Sequence, residues 1–207
     1  MVLMSIILTV QLILHWKDWS TLTKFGALTV IVLTLHVWEE WVIPGGFHVI
    51  YNLGSIYPDR YPMSELTDML TNFLGGLVWF IATETNHYGV KLGIATLLFG
   101  YFEFIIHNFL CLQSLNAYGK YGQITYYAPG MINALLCWLP LAIGLTVYFN
   151  RHRPGIKAWF QGVGVLILLS LAIVQLPEAM LKTPNNPYRF GNYGYYQKYK
   201  TQIEAHH

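Results

Sequence analysis

Phe25-Gly-Ala-Leu-Thr-Val-Ile-Val-Leu-Thr-Leu-His36-Val-Trp-Glu39-Glu40-Trp-Val-Ile43 decides the class of this chain. From Phe25 to Leu35 nothing ionisable interrupts it, and the stretch approaches the ~20 residues with which a helix crosses ~30 Å of hydrocarbon. Residues 2–16, 65–83, 89–111, 131–149 and 158–181 repeat the pattern, the first being the shortest. The reading is an all-α, polytopic membrane helix bundle of about six transmembrane helices over residues 1–183. A Tyr/Asn/Gly-rich C-terminal tail follows, residues 184–207.

Composition agrees. Of 207 residues, 55% are hydrophobic and 11% charged, against about 25% charged in soluble domains. A net charge of +2 gives no footing for nucleic acid. Residues 2–16 could be read as a signal peptide, but no cation precedes the apolar run and no small-x-small site follows it, so a retained helix is expected. Cys111 and Cys137 both fall in apolar helices and read as packing residues.

If six helices alternate, Lys17, Lys24, Lys91, Arg151, Arg153 and Lys157 share the short loops of one side. The positive-inside rule then places both termini on the non-cytoplasmic side. The long loops 44–64 and 113–130 and the tail 184–200 share the other face and are rich in Gly, Pro and Tyr. A membrane-interface belt is the expected use of these tyrosines, a lid the alternative. His48, His87 and His152 read as loop residues without a role. His206 and His207 are natural or the stub of a purification tag, and carry no functional weight.

Ionisable groups at membrane depth are costly and each needs a partner. His36 and Glu40 are four apart, as are Glu103 and His107, so each pair shares a helix face. Gly26 and Thr29 lie on the first face and Gly89, Gly93 and Gly100 on the second, and small residues mark the sides where membrane helices pack. Both pairs therefore point inward. Alternation puts them near the terminal end, where Glu65, Asp68, Asn72, Asn133, Gln175, Pro177 and Glu178 also gather. Two imidazoles and two or more carboxylates on facing helices suit a divalent transition metal: zinc, iron or manganese. Glu39, turned about 100° from Glu40, is a second ligand, a proton-transfer base or a partner for another helix. Glu178 could complete a binuclear site. The alternatives are a metal-free catalytic or proton-carrying cluster and a purely structural network.

His36-Val-Trp-Glu39-Glu40, with Tyr127-Ala-Pro-Gly130 and His107, resembles the HXXEE-domain family of membrane proteins, and the likeness covers the second to the fifth helix. A fainter similarity is to emopamil-binding-protein-like sterol isomerases, through His36, Glu40 and Met131-Ile-Asn133-Ala-Leu-Leu-Cys-Trp138. That similarity implies carboxylate acid–base chemistry on an isoprenoid or sterol double bond, with Trp138 facing a cation.

The leading expectation is a membrane metalloenzyme acting on a lipid-like or apolar small molecule by hydrolysis or oxidation. His36, Glu40, Glu103, His107 and Glu178 would hold metal, and Glu39, Asn133 and Tyr127 would serve catalysis. Tyr127 is expected to donate its hydroxyl to a cluster carboxylate, anchoring a ligand such as Glu40. The alternatives are a metal-free isomerase of such lipids and a non-enzymatic accessory subunit or proton-coupled transporter. The partners are the lipid bilayer, the lipid-like molecule and a homo-oligomer or larger membrane complex.

Overall fold

The computed structural model describes residues 1–204, so the expectation about His206 and His207 lies outside the described residues. It is an all-α bundle, with no strand among the described residues. Five helices are long and apolar enough to cross a membrane: α2 (Thr21–Trp41), α4 (Glu65–Glu84), α5 (Val90–Tyr121), α6 (Met131–His152) and α7 (Ile156–Leu181). Helix α1 (Val2–Leu14) falls short of the span expected for it, because 13 residues at 1.5 Å each cover only ~20 Å. It packs on α2 and α4 through buried Met4, Leu8 and Leu12. A short helix α3 (Phe47–Tyr51) lies inside the 44–64 loop.

Small residues set the helix seams. A Cβ on Gly26 would sit 2.5 Å from Thr83 Oγ1. One on Gly100 would come 3.1 Å from both the Ala142 Cβ and the Trp138 carbonyl oxygen, so α2 meets α4, and α5 meets α6, at backbone distance. Gly89, expected on the same stripe, meets no other helix: a Cβ there would touch only the His87 carbonyl oxygen, at 3.9 Å.

Two π turns interrupt the last helices, Ala134–Trp138 in α6 and Ser170–Gln175 in α7. Each precedes a proline, Pro140 and Pro177, whose ring crowds the carbonyl four residues back and removes a donor. Helix α7 packs along α5 with its first half and against α4 near its end. Over Ile156–Leu169, Gly162 is its sole buried residue. Its large side chains, Phe160, Leu168 and Met180 among them, face outward as lipid contact demands.

The tail folds back over one end of the bundle. Tyr193, Tyr196, Tyr199 and Ile203 are buried against Val49, Ile50, Leu110, Cys111, Tyr118 and Ala128. These tyrosines form a cap rather than the expected interfacial belt. Cys111 is buried in that cap and Cys137 is half-buried; both are free thiols.

Candidate metal centre

Helices α2 and α5 bring their two i, i+4 pairs face to face near the capped end. Nε2 of His36 lies 3.3 Å from Glu40 Oε1 and 3.3 Å from Glu103 Oε2. Nε2 of His107 lies 3.5 Å from the same Glu40 oxygen and 3.4 Å from the same Glu103 oxygen. His36, Glu40 and His107 are buried, and Glu103 is the most open of the four at 12%. Ligand atoms of His36, Glu40 and His107 lie within 4.8 Å of one another, as a shared ion requires.

These separations discriminate. Imidazolium–carboxylate hydrogen bonds run at about 2.7–2.9 Å, shorter than any of the four. A single Nε2–H also points at one acceptor, whereas each Nε2 here is nearly equidistant from two. Bonds of about 2.0–2.1 Å to a central ion give tetrahedral edges of about 3.3–3.4 Å and octahedral edges of roughly 2.9 Å. The four N–O separations fall near the tetrahedral edge, and the residues whose ligand atoms are all mutually close are His36, Glu40 and His107.

Packing, not hydrogen bonding, aims the imidazoles: Nδ1 of both His36 and His107 is buried without a partner. His107 is clamped by Gly130, where any Cβ would overlap its ring, and by Phe47 at 5.8 Å between centroids. Gly130 has φ +95, so the turn before α6 and the approach to His107 both require glycine. Trp138 meets His36 edge-on at 6.3 Å.

Glu39 stands apart from this His/Glu cluster. Its Oε1 accepts the Tyr127 hydroxyl at 3.0 Å and the Ile132 amide at 3.0 Å, and its Oε2 accepts the Asn133 amide at 2.7 Å. A carboxylate on the first turn of α6 satisfies orphan donors and complements the helix dipole. Tyr127 thus anchors Glu39, not Glu40. Burial, followed by the Glu39 charge, raises the Tyr127 pKa, so it remains a hydroxyl donor. Asn133 contributes its backbone, and its side-chain oxygen is buried without a partner. Glu178 is not in the His36–Glu40–His107 group; it accepts from Tyr51 at 2.7 Å and pairs with Lys182 at 3.8 Å.

A cavity of about 590 Å³ opens beside the four ligands. Phe99, Phe102, Ile106 and Leu166 supply apolar wall, and Asp68, Asn72, Gln175 and Glu178 add polar points. Glu39, Tyr127, Asn133 and Trp138 do not line it. Asp68, outside the expected ligand set, is buried here and accepts from Trp41 Nε1 at 2.6 Å and from Asn72 at 2.8 Å. Its i, i+4 spacing to Asn72 was the available sequence signal. His48 is also more than a loop residue, being buried and stacked on Phe190 at 4.0 Å. His87 and His152 make only local contacts, with Thr85 and the Tyr148 carbonyl.

Compared with protein-family models, curated proteins and solved structures, the chain matches none.

Proposed function

We propose that the chain is a membrane-embedded metalloenzyme. One divalent cation, zinc by geometry, is held by His36, Glu40, Glu103 and His107 and activates water against a lipid-like molecule in the adjoining cavity. The ring of four N–O separations at 3.3–3.5 Å carries this reading, being too long for charge-assisted hydrogen bonds and right for tetrahedral edges. Oxidation at a binuclear centre would need Glu39 or Glu178 as further ligands, and both have their oxygens engaged elsewhere. A single ion favours hydrolysis. Glu103, the most open of the four, is the ligand placed to shift and admit water as a fifth partner.

In this reading the residues that resemble the HXXEE-domain element divide their roles. His36 and Glu40 of that element supply two ligands, Glu39 fixes α6, and Gly130 of the Tyr-x-Pro-Gly element seats His107.

Metal analysis of the full chain, purified without a histidine tag, tests the proposal. About one equivalent of zinc is expected. Less than roughly a tenth of an equivalent of any transition metal would overturn it and leave the metal-free isomerase as the better reading.

A further inference from the structure

The broad cavity is not the only space that reaches Glu40. A smaller polar cavity of about 80 Å³ lies behind it, walled by Glu40, Asp68, Trp41 and His48 within and by the tail residues Gly191 and Asn192 without. Glu40 and Asp68 also line the broad cavity. Gly191 and Asn192 also line an open vestibule of about 540 Å³ at the capped end. Shared walls therefore set vestibule, neck and cavity side by side, with Glu40 and Asp68 standing between neck and cavity.

The neck is built for water. At ~30 Å³ per molecule it holds about two or three, and it is too narrow for an apolar chain. His48 is 3% exposed and its Nε2 has no partner, an arrangement that costs free energy unless water supplies one. Burial lowers the His48 pKa to about 3, so the ring stays neutral and presents one donor and one acceptor. Glu65, exposed at the start of α4, lines the same neck and adds a carboxylate on its outer side.

The geometry points to a dedicated water port: ordered waters in this neck, bonded to His48 and the neighbouring carboxylates, join the vestibule to Glu40 while the apolar ligand occupies the broad cavity. The use of this water in hydrolysis rests on the function proposed above. The port itself needs no metal.

Indole hydrogen exchange tests it without an assay of turnover. Trp41 Nε1–H sits in the neck, bonded to Asp68 at 2.6 Å, whereas Trp79 Nε1–H is bonded to Thr96 at 2.8 Å in the core. Both bonds are good, so a difference in rate reports access to water. In the full chain in nanodiscs transferred to deuterated buffer, Trp41 is expected to exchange at least tenfold faster than Trp79. A Cβ on Gly191 meets nothing within 4 Å, so Gly191→Phe can start a bulky side chain at the outer wall of the neck. It should slow Trp41 at least fivefold and leave Trp79 unchanged. Equal slow exchange of both indoles in the native chain, or no response of Trp41 to the plug, overturns the port. Metal content of the same samples separates the two proposals: plug-sensitive exchange in metal-free protein upholds the port alone, and bound metal with plug-insensitive exchange upholds the centre alone.

Discussion

Glu39 and Glu40 are adjacent and chemically alike, yet a helical step of about 100° sends one to the start of α6 and the other to the ligand ring. Substitution should separate these roles. Glu40→Gln replaces a charged ligand with a weak one, and metal affinity should fall at least tenfold. Glu39→Gln turns an amide donor toward groups that are themselves donors, which costs about 1–3 kcal/mol. It should lower the melting temperature while metal content stays at the native level. Loss of metal in Glu39→Gln with unchanged melting would reverse the assignment. The i, i+4 spacings made His36–Glu40 and Glu103–His107 legible from sequence, because helical periodicity is local. The partners of Glu39 were not legible: Asn133 lies 94 positions away, and only the folded chain sets that distance.

At the level of elements, hydropathy located the five long spans, and helix rise explains why residues 2–16 fell short. The π turns were foreshadowed by Pro140 and Pro177, although their effect on helix direction depends on packing. Helix α7 is the least embedded of the long helices, and Gly162 is where it touches α5 most closely. A Cβ there would sit 2.5 Å from Ile94 Cγ2 and 3.1 Å from the Lys91 carbonyl. Gly162→Leu should therefore push α7 away from α5 and destabilise the bundle by about 1–3 kcal/mol, the usual scale of overpacking. Gly164→Leu, whose Cβ meets nothing within 4 Å, is the matched control and should be close to neutral. Thermal unfolding in detergent measures both, and equal effects would remove the special role of the Gly162 seam.

For the molecule as a whole, composition and hydropathy identified the helical bundle, but not the way the 44–64 loop and the tail close over one end. That closure depends on contacts such as His48 with Phe190, between segments far apart in sequence. It also carries a pH signature. Burial holds the folded His48 pKa near 3, below its ordinary value of 6.5. The unfolded chain then binds more protons than the folded one between those values, so this contribution is complete above about pH 6.5 and is lost as pH falls toward 3. Stability measured from pH 7 to 4 should decline more steeply in the native chain than in His48→Phe, which keeps an aromatic ring against Phe190. Parallel curves would show that the closure does not depend on a neutral imidazole.

Tyr51 and Glu178 join α3 to the end of α7 by a hydrogen bond of 2.7 Å. Among the described residues it is the one side-chain hydrogen bond between α7 and another helix, and it lies on the wall of the broad cavity. Helix α7 packs along α5 and against α4 near its end, but few of its side chains are buried and this is its one side-chain tie to another helix. A bilayer thinner or thicker than a helix is accommodated partly by helix tilt, and tilt of α7 would load that bond. The width of the cavity mouth would then be a mechanical quantity, answering to the thickness of a surrounding bilayer.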